Sequence, residues 1–278
     1  MHTIDLHVHS NASDGSMTPS ELVAYAMEQD LYAFALTDHD TVEGIEEALK
    51  AADGLPIEVI PGIELSAEYQ GQDIHILGYN IDYKDEDFLK TVGYYRHLRE
   101  NRNVEMLERL QALGFPITDT LLEERFGRDT VITRAHYAMF LQEKGIVCST
   151  NEAFERFLSP GCPCYVPRRR ISVTDAVKLI LKAKGKPVLA HPVLYHLDEA
   201  ALDTLTALLK EAGLMGIEAI YSKNQDGDEE RFRALAKKYD LFITGGSDFH
   251  GTAKPRLLLG TGYGNLAIPA ELLEQLLN

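Results

Sequence analysis

The sequence predicts an α/β protein: a distorted (β/α)7 TIM-like barrel with an inserted α-helical subdomain. Three observations predict it. Short apolar runs of β-forming residues alternate with helical patterns at both ends of the chain. Histidines and carboxylates recur where those runs end, as they do at the catalytic face of a (β/α) barrel. Between about Asp85 and Arg170 the pattern is helix after helix, with no convincing strand. The barrel is therefore placed at residues 1–84 and 171–278 and the inserted subdomain at residues 85–170. A chain of 278 residues with 45% apolar content can build a core of that size.

The first strand, about Thr3 to His7, runs into Asp5-Leu6-His7-Val8-His9-Ser10. Side chains two apart on a strand share a face, so His7 and His9 form a chelating pair. A polar loop with Asp14 and Gly15 follows, and Thr18-Pro19-Ser20-Glu21 starts a helix that runs to about Gln29. Ala33 to Thr37 is a short buried strand ending at Asp38-His39-Asp40, where Asp40 with Glu43 repeats the capping signal. Leu55 to Ile63 is a third strand closed by Glu64, and the β-rich run Ile74 to Tyr79 carries His75 inside it.

In the insertion, Phe88 to Leu113 has helical spacing and stops at Gly114. In Thr133-Arg134-Ala135-His136, threonine caps a helix and Arg134 sits in its first turn. A cation there adds to the positive end of the helix dipole and gains if an anion binds, so Arg134 is a candidate phosphate contact. His136 either touches substrate or packs, and Tyr165 either stacks on a base or packs. Arg168-Arg169-Arg170 is a solvated basic face or a contact for a longer phosphorylated substrate.

The barrel resumes with a helix over Ser172 to Lys184 and a strand, Pro187 to Ala190, that delivers His191. A helix over Asp198 to Ala212 precedes the strand Gly216 to Tyr221, whose end carries Tyr221, Ser222, Lys223 and Asn224 in the position of substrate contacts. Glu229 to Tyr239 is the next helix, and the strand Leu241 to Gly246 ends in Asp248 and His250. About seven barrel strands result. Gly260-Thr261-Gly262-Tyr263-Gly264 lacks the Lys-Ser/Thr of a phosphate-binding loop and reads as a turn, followed by a helix over Pro269 to Leu277.

Composition narrows the function. With 43 acidic and 27 basic side chains the net charge is −16, which argues against long duplex nucleic acid as a partner. It leaves small anions open, because bound cations turn a carboxylate-lined pocket locally positive. No secretory signal precedes the first strand and no apolar run approaches the roughly 20 residues of a membrane span, so a soluble, cytoplasmic protein without membrane contact is expected. No feature calls for an obligate protein partner. Cys148, Cys162 and Cys164 read as reduced, since Cys162-Pro163-Cys164 lacks the usual zinc spacing.

Six of the ten histidines and three carboxylates thus share one local context, the end of an apolar run. The set His7-Val8-His9, Asp14, His39, Glu64, His75, His191, Asp248 and His250, in that order, resembles the PHP (polymerase and histidinol phosphatase) family of metal-dependent phosphoesterases, at both ends of the chain. The resemblance implies up to three divalent cations per chain, manganese, iron or zinc. One site would use His7, His9, Glu64 and Asp248; a second Glu64, His75 and His191; a third Asp14, His39 and His250, with Glu64 bridging. It further implies a metal-bridging hydroxide held by Glu64, Asp14, His39 and His250. Thr-Arg-x-His around Arg134 and Tyr165-Val166-Pro167 resemble the subgroup that acts on nucleotides. The implied activity is hydrolysis of the 3′-phosphate of nucleoside 3′,5′-bisphosphates. Its rivals are a 5′–3′ exonuclease on short RNA, a histidinol-phosphatase-like or amidohydrolase activity, and a non-catalytic metal-binding regulatory module.

Overall fold

A computed structural model of the chain describes residues 3–127, 130–167 and 169–277, so Arg168 lies outside the described residues. The strands are β1 (Thr3–Val8), β2 (Leu31–Leu36), β3 (Glu58–Tyr69), β4 (Gln72–Tyr79), β5 (Ile171–Ser172), β6 (Lys186–Leu189), β7 (Gly216–Tyr221) and β8 (Phe242–Gly246). Seven follow the order β1-β2-β3-β4-β6-β7-β8 in one sheet, and β5 pairs with β3 off that path. The outer strands meet through a Val8–Phe249 bridge and hydrogen bonds from His9 N to Phe249 O and from Asp248 N to His7 O, at 3.0 and 2.9 Å, so the sheet is a nearly closed, barrel-like one.

The barrel is irregular for an identifiable reason. β3 and β4 are antiparallel partners, and β4 is antiparallel to β6 as well, while the remaining neighbours are parallel. Tyr69 pairs with Gln72 across a two-residue turn in which Gln70 and Gly71 both have positive φ, the conformation that matches the twist of a hairpin. Glu64 consequently does not close a strand; it lies within β3, opposite Leu77, and the strand continues to Tyr69.

Strand alternation sends the side chains of β2 to two cores. Phe34 and Leu36 join the layer under the helices, whereas Ala33 and Ala35 join Ile4, Leu6, Ile60, Leu77 and Val188. The helices over the first layer are α1 (Pro19–Glu28) and α2 (Ile45–Ala52), with α7 (Val173–Lys182), α8 (Glu199–Ala212) and α9 (Asp228–Lys238) after the insertion. α1 has the capping box read from Thr18 and Glu21. The corresponding reading at Asp40 and Glu43 is corrected: α2 starts only at Ile45 after Gly44, with no side-chain cap, and Asp40 instead accepts hydrogen bonds from Ser66 N and Arg99.

Between β4 and β5 come α3 (Glu86–Ala112), α4 (Asp119–Phe126), α5 (Arg134–Glu143) and α6 (Thr150–Ala153), the last running into a π turn over Phe154–Leu158. They share a core of their own that includes Met106, Leu110, Tyr137, Leu141 and Leu158. α3 is capped by Asp85 and is followed by Gly114 at φ +82°, where the missing Cβ lets the chain turn away. The C-terminal helix expected over Pro269 to Leu277 is a 3₁₀ turn, Ala270–Leu273, followed by the single turn α10 (Glu274–Leu277). No helix among the described residues is long and apolar enough to cross a membrane.

Candidate metal centre

The ends of the parallel strands and the β3–β4 hairpin converge on Glu64, which is fully buried. Its Oε2 lies 3.2 Å from His7 Nε2, 3.2 Å from His9 Nε2 and 3.1 Å from His39 Nδ1. Its Oε1 lies 2.8 Å from His75 Nδ1 and 2.9 Å from His191 Nε2. One carboxylate thus touches five imidazoles. On one flank Asp14 Oδ1 is 3.3 Å from His250 Nε2, and on another Asp248 Oδ1 is 3.4 Å from His9 Nε2. The ligand atoms fall into overlapping groups that could each hold a cation: His9, Asp14, His39 and His250; His7, His9 and Asp248; His7, Glu64 and His191; His39, Glu64 and His75. All nine residues singled out as ligands lie in these groups, with His9 standing beside Asp14 as well as beside His7.

The donor set suits divalent cations. Six imidazoles and three carboxylates with no thiolate match manganese, iron or zinc rather than a structural zinc knot. His7 Nε2, His9 Nε2, His39 Nδ1, Asp14 Oδ1 and Glu64 Oε2 are buried and make no hydrogen bond, although buried polar atoms ordinarily do. The field differs from ring to ring: burial, the largest influence, works to lower the pKa of His9, yet the facing carboxylates of Asp248 and Glu64 raise it to about 9, whereas burial prevails at His39 and lowers its pKa to about 3.

Behind the ligands stands a shell that fixes their orientation. Glu218, in the middle of β7, takes a hydrogen bond from His7 Nδ1 at 2.9 Å and one from His191 N at 2.6 Å. Asp38 accepts from Ser10 N, Ser10 Oγ and Ser13 Oγ, and Ser13 Oγ lies 3.5 Å from His9 Nδ1, so Asp38 reaches His9 through a serine. Asp5 accepts from Ser247 N at 2.9 Å, Ser247 Oγ at 2.5 Å and Gly260 N at 2.8 Å, tying the start of the chain to the loop after β8. In that loop Asp248 has φ +60°, a left-handed conformation uncommon outside glycine, and Gly246 is needed because a Cβ there would overlap His7.

Two cavities meet over Asp14, His39, His75 and His191. The first, about 320 Å³, is lined by Arg99, Arg102, Arg134 and Arg170. Arg134 and Arg170 share Asp73, at 2.7 and 2.6 Å, and Arg99 donates to Asp40 and to Ser66 Oγ. The second, about 700 Å³, extends past Asp248 and His250 to Lys223, Lys254, Arg256 and Tyr263. Phe154 lines both. His136 is buried and lines neither; its Nδ1 accepts the Thr133 backbone N–H, and burial lowers its pKa to about 4. Tyr165 lines neither and has Arg134 over its ring at 5.8 Å.

Glu218, Arg99 and Arg102 escaped the sequence reading. A carboxylate inside the apolar run Gly216–Tyr221 was the available signal for Glu218, because such a group is rarely buried without a partner. Arg99 and Arg102 lie three apart, on one face of α3, in a helix rich in other charges.

A PHP domain profile matches residues 5–244. The chain is 35% identical over 246 residues to a 5′-3′ exoribonuclease of Haemophilus influenzae, covering 88% of this chain and 89% of that one. It is 33% identical over 250 residues to a 3′,5′-nucleoside bisphosphate phosphatase of Chromobacterium violaceum, covering 90% and 88%. Among solved structures, a Bifidobacterium adolescentis protein provisionally classed as a metal-dependent phosphoesterase superposes with a TM-score of 0.87 at 30% identity, over 99% of this chain and 96% of the other.

Proposed function

The chain belongs to the PHP domain family, and from that premise we propose that it hydrolyses the 3′-phosphate of nucleoside 3′,5′-bisphosphates. It is a hydrolytic enzyme, a metal-dependent phosphoesterase. The observation that carries the substrate is the four-arginine cavity opening onto the candidate metal centre: in a protein of charge −16, guanidinium groups gathered beside a cation site suit a second phosphate on the same small molecule.

The nine residues His7, His9, Asp14, His39, Glu64, His75, His191, Asp248 and His250 would hold up to three divalent cations, manganese, iron or zinc, with Glu64 shared among them. Bound there, the cations would supply Lewis acidity at the phosphoryl oxygens and acidify the attacking water. Glu64, Asp14, His39 and His250 would orient that water in line with the P–O3′ bond. The water oxygen joins phosphorus, the P–O3′ bond breaks, and the 3′-oxygen leaves with a proton. Arg134, with Arg99, Arg102 and Arg170, would hold the 5′-phosphate and fix the distance to the reacting one. Phe154, between the cavities, offers a ring for the base. We take residues 85–170 as the inserted subdomain that brings these arginines to a barrel of residues 1–84 and 171–278, which carries every ligand. A neutral amide would have no use for the arginines, which disfavours an amidohydrolase. A nucleotide substrate also points to a cytoplasmic enzyme.

The test is phosphate release from adenosine 3′,5′-bisphosphate with manganese, using His7→Ala as the blank. Adenosine 5′-monophosphate is the expected product. Loss of the 5′-phosphate instead, or no release by protein shown to contain metal, would overturn the assignment.

A further inference from the structure

The arginine cavity is also lined by a carboxylate outside the cation groups, Asp73. It lies on β4, two residues before His75 and on the same face of the strand. Its Oδ2 is 2.7 Å from Arg134 Nη2, and its Oδ1 is 2.6 Å from Arg170 Nη1. Each carboxylate oxygen holds one guanidinium group, as two oxygens of a bound phosphate would.

Asp40, the acid that pairs with Arg99, is placed differently. It is 3% exposed and does not line the cavity, so it fixes the direction of Arg99 from behind and leaves the front open to a ligand. Asp73 stands at the front. Its side chain is 38% exposed, and ion pairs open to water are weakly held. Glu68 weakens the hold further: it pairs with Asp73 across the β3–β4 hairpin, and its Oε2 lies 3.8 Å from the same Arg170 nitrogen. Like charges opposite one another on paired strands repel, and Arg170 offsets that repulsion only while no other anion takes its charge.

We propose that Asp73 is an internal competitor for the 5′-phosphate, yielding Arg134 and Arg170 to the substrate and reclaiming them as the product leaves. This rests on the phosphatase reading above and deepens it, by naming what regulates occupancy of the arginine cavity. A 3′-phosphatase leaves the 5′-phosphate in place, so the arginines grip product as firmly as substrate. Binding energy spent equally on the two does not speed the chemical step, and it slows release. A phosphate dianion on Arg134 and Arg170 leaves Asp73 facing Glu68 without a shared cation, and the carboxylate turns to solvent. Its return neutralises the arginines once the nucleotide departs.

The test compares wild type with Asp73→Asn, which keeps the shape of the side chain and removes its charge. Calorimetry in EDTA measures binding of adenosine 5′-monophosphate, with adenosine as the control. Kinetics with manganese measure adenosine 3′,5′-bisphosphate and adenosine 3′-monophosphate, which lacks the 5′ group. We expect the variant to bind adenosine 5′-monophosphate about fivefold or more tightly and to lower KM for the bisphosphate by a similar factor, with no rise in kcat. Adenosine binding and kcat/KM for the 3′-monophosphate should stay within about twofold. A gain confined to ligands with a 5′-phosphate cannot come from a damaged fold or an altered cation site. Binding of adenosine 5′-monophosphate that stays the same or weakens would overturn the competitor and make Asp73 an anchor for the arginines, whether or not the bisphosphate is hydrolysed. Tighter binding by a variant whose wild type releases no phosphate from the bisphosphate supports the competitor and overturns the phosphatase reading instead.

Discussion

Glu218 takes a hydrogen bond from His7 Nδ1 at 2.9 Å, while the other nitrogen of the same ring faces Glu64 at 3.2 Å. The carboxylate keeps the proton on Nδ1 and leaves the Nε2 lone pair directed at the candidate metal centre. Glu218→Gln should therefore weaken cation affinity by about 10- to 100-fold. Calorimetric titration of stripped protein with manganese checks this, and activity should return at high metal concentration. An unchanged affinity would mean that Glu218 serves folding alone.

Arg134→Ala should act on the substrate rather than on the chemistry. With Asp73 left to Arg170, the cavity loses one of its guanidinium groups, and KM for adenosine 3′,5′-bisphosphate should rise about tenfold or more. Turnover of a simple aryl phosphate, which has no second phosphate, should stay within about twofold. If both substrates suffer alike, Arg134 supports the fold around α5 and not a phosphate.

Asp5 tests the barrel seam. It is fully buried and accepts hydrogen bonds from Ser247 and Gly260, so Asp5→Ala would leave those donors unpaired. The expected loss is about 3 kcal/mol or more in urea unfolding. A loss under about 1 kcal/mol would show that water readily replaces the carboxylate.

Burial holds His136 neutral, with its pKa at about 4 against an ordinary 6.5. A histidine with a depressed folded pKa contributes stability that is complete above pH 6.5 and is lost as pH falls toward 4, because the unfolded chain takes up the proton first. The slope in that window should flatten in His136→Gln, which keeps an acceptor for the Thr133 N–H while removing the titration. The difference is on the order of 3 kcal/mol at pH 4. Parallel unfolding curves for the two proteins in EDTA would contradict it.

Exhaustive chelation should abolish phosphate release, and added manganese should restore it. Thermal melts of the stripped protein should shift downward, because cations that bind the folded centre, where five imidazoles stand 2.8 to 3.2 Å from Glu64, stabilise the folded state. Activity that survives metal-free conditions, verified by elemental analysis, would remove the basis for the mechanism.

The sequence was most readable where the signal is local. Thr18 and Glu21 cap a helix over four residues, and His7 and His9 sit two apart on one strand. The alternation of strands and helices likewise carried the barrel, because each unit fits within a short window. The hairpin was harder, since Gln70-Gly71 is a turn signal only once both flanking runs are recognised as one antiparallel pair. Glu218, Arg99 and Arg102 are meaningful only in three dimensions: Arg99 is far in sequence from Arg134 and Arg170, and no spacing links it to Asp40. Short-range rules assign elements; the partners of a buried charge are set by topology.

The seam joining β1 to the loop after β8 carries one more implication. Asp5 and Ser247 are bonded across 242 positions, and His7 and His9 need Asp248 and His250 to complete their groups. During synthesis the first strand emerges early but has no closing partner until nearly the whole barrel has been made. Folding must then wait on contacts of very long range, a slow class of event. Cation capture would come last, so a chain that stops short of His250 would be born unable to hold the full complement, and metal content in fresh protein would report how much of it had been finished.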